Sequence, residues 1–119
     1  MPDLLTPPET IASMPTFVAE LGATAIGFAQ LDNSAEPWEL VSLWVQPEHM
    51  GKGVGRQLLN EVAKCARQAG RAEIAVDSDP NAELFYIACG ARLVARAPAP
   101  IEGDMLRTRP QLLLLTGSA

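Results

Sequence analysis

The clearest pattern in the chain is a helical period between Val54 and Ala69. Apolar residues recur on one side of this segment and polar or charged residues on the other, which predicts an amphipathic helix with one face on the core. Gly70 follows at the position where a left-handed C-terminal cap is expected. The apolar side consists of Val54, Leu58, Leu59, Val62, Ala63, Ala66 and Ala69.

Short apolar runs before this helix predict three strands. Residues 16–21 and 24–31 are separated by Gly22 and Ala23, a spacing typical of a β-hairpin. Trp38 to Val45 carries apolar residues on both faces, as a central strand does. Pro47 ends that strand, because proline cannot continue the hydrogen-bond ladder.

In the second half of the chain, predicted strands and a helix continue to follow one another. Residues 73–76 predict a strand, and a second helix is expected from Pro80 to Cys89 with Asp79 as its N-cap. Strands at 92–97 and 111–115 follow, with a loop at 98–109 between them. The order β-β-β-α-β-α-β-β predicts an α/β (α+β) protein with one mixed sheet, covered by helices on at least one face.

Length and composition indicate one ordinary globular domain. The chain has 119 residues, of which 48% are hydrophobic and 19% charged, enough for a core without disulfide staples. Residues 1–14 contain three prolines among polar residues and are expected to form a loose arm or a short helical turn. The domain itself is expected to span residues 15–119.

Charge and cysteine usage exclude several functions. A net charge of −5 argues against nucleic-acid binding, which needs a basic patch. The negative charge is compatible with a cationic substrate, although solubility is the favoured explanation. Cys65 and Cys89 have neither metal-site nor redox-motif spacing, so we expect small buried thiols in a reducing compartment and no metal.

The ends of the sequence carry no membrane signal. The start at Met1 lacks a basic stretch followed by an apolar segment, so no signal peptide is expected. The longest aliphatic run, 112–115, is far too short to span a bilayer. The expectation is a soluble cytoplasmic protein.

Three alternating glycines between the third strand and the first helix carry most of the functional information. Gly51, Gly53 and Gly55 can bring bare backbone N–H groups against an anion at a helix N-terminus. A P-loop is excluded because Lys52 is followed by glycine and not by Ser or Thr. A dinucleotide fingerprint is a weak match, because Arg56 occupies the place of its third glycine. A tight turn alone is the remaining alternative, although one glycine would suffice for it.

Residues 45–56 read Val-Gln-Pro-Glu-His-Met-Gly-Lys-Gly-Val-Gly-Arg. This segment resembles the acyl-CoA signature of the GCN5-related N-acetyltransferases (GNAT), Gln/Arg-x-x-Gly-x-Gly/Ala after a strand that ends in Val-x-Pro. Met50 departs from the signature, because the family usually has Arg or Gln there. The change removes a side-chain contact with the cofactor and no backbone donor.

A second segment supports the resemblance. Residues 81–90 read Asn-Ala-Glu-Leu-Phe-Tyr-Ile-Ala-Cys-Gly, similar to the family segment in which Asn begins a helix, Tyr lies near its end and Gly-Phe follows. Ala91 stands in place of that Phe. The resemblance covers residues 15–115 and implies an acyl-CoA N-acyltransferase-like fold with a mixed, mostly antiparallel sheet. Its N-terminal part is shortened, since the family's first strand and two leading helices are mostly missing.

The resemblance also implies a reaction: acetyl transfer from acetyl-CoA to a primary amine, by direct attack in a ternary complex. The cofactor diphosphate would bind the backbone N–H groups of residues 51–56, and the main chain of the third strand would pair with the pantetheine arm. The implied cofactor-binding residues are Leu43, Val45, Met50, Gly51, Lys52, Gly53, Val54, Gly55, Arg56 and Asn81. For Lys52 an ordinary solvated side chain is the favoured alternative. Asn81 is equally explained as a residue at the start of a helix whose side chain hydrogen-bonds its own backbone.

Tyr86 matches the family position that protonates the departing thiolate. A tyrosine packed on the core is the alternative. Glu39 is the candidate general base, because it begins the central strand near the expected cleft, and a surface carboxylate is its alternative. Trp38 and Trp44 are expected in the core, with Trp38 the candidate for lining the acceptor cleft, and His49 is expected to be solvated.

Two functions remain open at this point. One is a small N-acetyltransferase whose acceptor the sequence does not name. The other is a non-catalytic acyl-CoA-binding interaction or regulatory module, which the short front segment motivates. A homodimer is expected if the shortened front exposes a sheet edge or face.

Overall fold

The computed structural model describes residues 3–5, 15–34 and 36–117, and for residues 3–5 only the backbone. The described residues form one seven-stranded sheet of order β1-β2-β3-β4-β5-β7-β6. The strands are β1 (Asp3–Leu5), β2 (Thr16–Leu21), β3 (Thr24–Asp32), β4 (Trp38–Val45), β5 (Glu73–Asp77), β6 (Ala91–Pro98) and β7 (Thr108–Leu115). The helices are α1 (Val54–Gln68) and α2 (Glu83–Ala88), with short 3₁₀ turns at Pro47–His49 and Pro80–Ala82.

The sheet is mixed and mostly antiparallel, as the resemblance implied. Within the described strands, only β4 and β5 run parallel. Parallel neighbours need a crossover connection, and α1 supplies it. No helix in the described part of the chain is long and apolar enough to cross a membrane.

Helix α1 confirms the helical period. Its buried residues are Val54, Leu58, Leu59, Val62 and Ala66, which pack on the sheet and form the core with residues of β2–β5 and β7. Gly70 has a φ of +80°. Its N–H donates to Arg67 O at 3.0 Å, and the Arg71 N–H donates to Ala66 O at 2.8 Å. These two bonds are the Schellman pattern expected of a glycine cap.

Gly27 allows α1 to lie close to β3. A Cβ atom at Gly27 would stand 2.9 Å from Trp44 O, 3.2 Å from Leu58 Cδ1 and 3.3 Å from Val54 Cγ1. The first of these neighbours is backbone and cannot rotate away. The bare glycine therefore sets the distance between the helix and the sheet.

We expect Gly27→Ala to lower the free energy of unfolding by about 1–3 kcal/mol through overpacking. Without the close contact, the same change would stabilise the chain by roughly 0.4–1 kcal/mol, because alanine reduces the entropy of the unfolded state. Urea unfolding distinguishes the two signs. A gain in stability would show that a methyl group fits between α1 and β3 without overpacking.

β4 contains a bulge close to the point where it leaves β5. In the β3–β4 ladder Leu31 pairs with Leu40 and Gln30 with Ser42, so Val41 has no partner in the register. β4 pairs with β5 at residues 38–40, opposite 74–76, and the two strands then part. A bulge bends its strand and increases its twist, and here it accompanies the opening of the sheet.

Several elements differ from the sequence expectation. Residues 3–5 form a short strand on β2 where a loose arm was expected, and residues 6–14 of that arm lie outside the described residues. The second helix is shorter than predicted, because residues 80–82 form a 3₁₀ turn. Asp79 does cap that turn, and its Oδ1 accepts from Asn81 N at 2.8 Å. The last strand begins earlier than predicted and includes Pro110.

Candidate functional site

Two grooves meet where β4 and β5 part. The first, the loop groove, has a volume of about 510 Å³ and runs from the glycine loop to α2. The second, the strand groove, has a volume of about 370 Å³ and lies against β4 and the end of β5. Leu43, Ala82 and Tyr86 line both grooves. The two grooves therefore adjoin at these three residues.

The main chain of β4 supplies free polar groups to this junction. The Gln46 N–H donates to Ile26 O at 2.7 Å, so position 46 directs its polar groups toward β3. These directions alternate along an antiparallel strand. Leu43 and Val45 therefore direct their N–H and C=O groups to the opposite edge of β4, beyond the stretch that pairs with β5.

The glycine loop presents the start of α1 to the loop groove. Gly51 and Gly53 have φ values of +78° and +85°, a conformation that costs other residues about 1–2 kcal/mol. Gly53 is the N-cap of α1 and provides no side-chain hydrogen bond. The first N–H groups of the helix thus remain available, at its positive dipole end, for an anionic ligand.

Gly55 brings α2 against the start of α1. A Cβ atom at Gly55 would stand 3.0 Å from Phe85 Cζ. Arg56 links the same two helices, because its Nη2 donates to Ala88 O at 3.1 Å. The start of α1 is therefore held against α2 at two neighbouring positions.

The predicted cofactor residues divide into those that line the loop groove and those that do not. Lys52 is exposed in the turn, and Val54 is buried in the core, so for Val54 only the main chain can contribute. Asn81 lines the groove while its own N–H is bound to Asp79. The predicted cofactor residues that line the groove are Leu43, Val45, Met50, Gly51, Gly53, Gly55, Arg56 and Asn81.

Tyr86 lies at the junction of the two grooves. Its side chain is 8% exposed and stands edge-on to Phe85 at 5.3 Å between ring centroids. Burial, with a smaller contribution from Cys89, raises the pKa of the Tyr86 phenol above its ordinary value of 10.0. The phenol therefore keeps its proton throughout the neutral range.

Glu39 lies on β4 outside the lining of both grooves. It is half-buried on β4, where its register partners are Asp32 on β3 and Ala75 on β5. His49, expected to be solvated, lies half-buried in the wall of the loop groove.

Of the two tryptophans, Trp38 lies in the core as expected and Trp44 does not. Trp38 is buried in the core with the Arg71 guanidinium 5.6 Å from its ring centroid. Trp44 is 45% exposed and lines the strand groove. Sequence reasoning also missed Phe28, whose ring centroid lies 6.0 Å from that of Trp44. The available signal was the alternation along β3 and β4, which places residues 28 and 44 on the sheet face opposite α1.

Comparison with known proteins identifies the family. The family model described as acetyltransferase (GNAT) domain matches residues 13–90. The chain belongs to the GNAT family of acetyltransferases. The matched segment contains the bulge of β4, the glycine loop, all of α1 and all of α2. Family membership implies acetyl transfer from acetyl-CoA. Among curated proteins, none matches the chain.

Solved GNAT structures share the fold. An IAA acetyltransferase from Bacillus cereus is 23% identical with a TM-score of 0.73, over 87% of this chain and 79% of that one. A GCN5-related N-acetyltransferase from Rhodopseudomonas palustris is 26% identical with a TM-score of 0.73, over 88% of this chain and 63% of that one. An aminoglycoside 6'-N-acetyltransferase complexed with coenzyme A is 15% identical with a TM-score of 0.77, over 92% of this chain and 76% of that one. The match to the Rhodopseudomonas protein thus spans less than two thirds of that protein's length.

Proposed function

We propose that this GNAT domain transfers an acetyl group from acetyl-CoA to a primary amine, by direct attack in a ternary complex. The observation that carries the proposal is the junction of two grooves at Tyr86 and Leu43. The loop groove offers bare amides to one substrate, and the strand groove gives a second molecule access to the same point.

The residues present fit acetyl-CoA in the loop groove. The diphosphate would accept hydrogen bonds from the main-chain N–H groups of residues 51–56, each worth about 1.5–3 kcal/mol as a charge-assisted bond. The pantetheine arm would continue along β4 and pair with the main chain of Leu43 and Val45. Arg56 lines the same groove and adds positive charge.

The thioester would then lie at the junction, within reach of a β4 amide. An N–H aimed at the oxygen that becomes negative during attack typically lowers the barrier by about 2.7–4 kcal/mol. The amine nitrogen attacks the thioester carbon from the strand groove, and the carbon–sulfur bond breaks when the tetrahedral adduct collapses. The nitrogen of the adduct would release its extra proton to water. Tyr86 would give its phenolic proton to the departing sulfur and regain one from solvent.

The attacking amine must first be neutral. For a lysine-like amine with a pKa near 10.4, the neutral form at pH 7 costs about 4.6 kcal/mol. We assign Glu39 on β4 as the general base that accepts the proton of the ammonium group. Because Glu39 lines neither groove, a water molecule would carry the proton to it. Glu39→Gln should then lower the rate at pH 7, and a rate unchanged across the pH profile would remove Glu39 from the mechanism.

The experiment that tests the proposal measures thiol release from acetyl-CoA with a panel of primary amines. Release that depends on both substrates, with the acetylated amine detected by mass spectrometry, is the expected result. Acetyl-CoA binding without release on any amine would contradict catalysis and leave an acyl-CoA-binding module. No binding at all would contradict the assignment of the loop groove.

We further infer a homodimer and a cytoplasmic location. The short β1 and the longer β6 are the two edges of the sheet, and an unpaired edge is a site for pairing with another chain. Sedimentation at micromolar concentration should give the dimer mass, and a monomer would refute the dimer. Fractionation of cells that produce the protein should recover it with cytoplasmic enzymes, and recovery elsewhere would refute the location.

A further inference from the structure

On the basis of the proposed function, we infer that the strand groove accepts a monoamine with an aromatic or apolar body and discriminates against polycations. The groove presents aromatic surface beside the reaction point, and each of its carboxylates already has a cationic partner within the protein.

The aromatic surface comes from the sheet face opposite α1. Phe28 and Trp44 stand side by side on neighbouring strands and are 37% and 45% exposed. Val41, the bulge residue, adds a third exposed apolar side chain to the groove. Rings of this kind bind another ring by stacking or edge contacts, and their faces attract one ammonium group.

Both carboxylates of the groove have an arginine partner. Asp77 Oδ1 accepts from Arg109 Nε and from Gln111 Nε2, each at 2.9 Å. Asp79 caps the turn at Asn81 through Oδ1, and its Oδ2 lies 3.6 Å from Arg107 Nη2. The two arginines balance the charge of the two aspartates, so a second ammonium on the substrate meets no uncompensated carboxylate in the groove.

A buried hydroxyl that lines the groove is also satisfied. Ser78 is 2% exposed, and its hydroxyl donates to Asp79 O at 2.7 Å. At about 370 Å³ the groove lies near the lower end of the size range of ligand pockets. It suits a small amine whose apolar part covers Trp44 while its nitrogen points toward Tyr86.

The test compares 2-phenylethylamine with spermidine as acceptors for the whole chain. We expect kcat/KM for 2-phenylethylamine to exceed that for spermidine by about tenfold or more. Trp44→Ala should lower kcat/KM for 2-phenylethylamine by about tenfold, mostly through KM, and leave the Kd of acetyl-CoA unchanged. Leu21→Ala is the control, because Leu21 is also 45% exposed and lies at the hairpin turn, outside both grooves.

A second variant tests whether the paired carboxylates disfavour polycations, and it is expected to improve the use of spermidine. Arg109→Gln removes a partner of Asp77 and should raise kcat/KM for spermidine relative to 2-phenylethylamine. Preference of the unmodified protein for spermidine, or no response to Trp44→Ala, would overturn the inference while the transfer reaction stands. Failure of both amines, with acetyl-CoA bound, would instead count against the proposed function.

Discussion

Gly53→Leu is expected to raise the Kd of acetyl-CoA by at least about 100-fold while the chain remains folded. Gly53 is the N-cap of α1 with a φ of +85°, and a leucine there would place a side chain among the donor amides of the loop groove. Loss of two or more charge-assisted hydrogen bonds, at about 1.5–3 kcal/mol each, is enough for this change. Isothermal titration calorimetry measures it directly.

Gly70→Leu is the matched control for this variant. Gly70 has a φ of +80°, and a Cβ atom at either glycine meets nothing within 4 Å. Both variants therefore carry a similar backbone strain of about 1–2 kcal/mol, but Gly70 lies at the far end of α1. Normal acetyl-CoA affinity in Gly53→Leu, or equal loss in both variants, would show that the loop is a turn and not a binding site.

Tyr86→Phe is expected to lower kcat by about 100-fold or more and to leave the Kd of acetyl-CoA unchanged. The change removes the proton donor for the leaving thiolate, an effect usually worth 10²–10⁴-fold in rate, and it conserves the ring that packs on Phe85. Single-turnover kinetics separate the chemical step from binding. Unchanged turnover would remove Tyr86 from the mechanism and leave it as a packed core residue.

The pH profile provides a second observation on Tyr86. Because burial raises the pKa of this phenol, its acid form persists up to and above pH 10 and is lost only as the pH rises through the raised value. The kcat of the unmodified protein should therefore fall on that alkaline limb. Tyr86→Phe should lack the limb, and a limb that persists in the variant would assign the titration to another group.

Local signals in the sequence determine the helix and the glycine loop. The apolar period of α1 and the cap at Gly70 depend on neighbours within four residues, so both were predictable. The site residues at 43, 45, 51, 53, 55 and 86 follow from two motifs that resemble the family, and the structure brings them to one groove. Their chemical roles stay predictions, because the geometry alone does not test them.

The features that the sequence did not predict depend on contacts between distant segments. The parting of β4 from β5 follows from the register of three residues and from the bulge at Val41, which no local pattern marks. Trp44 was expected in the core because its strand is apolar on both faces, yet no described element covers its outer face. The last strand was predicted to begin at residue 111, but its pairing with β6 starts earlier and includes Pro110 opposite Arg96.

The most direct test of the account is a crystal structure of the protein with coenzyme A. We expect diphosphate oxygens within hydrogen-bond distance of main-chain N–H groups between residues 51 and 56, with the thiol at the junction beside Tyr86. A diphosphate bound elsewhere, or a loop groove closed by side chains in the presence of the ligand, would contradict it.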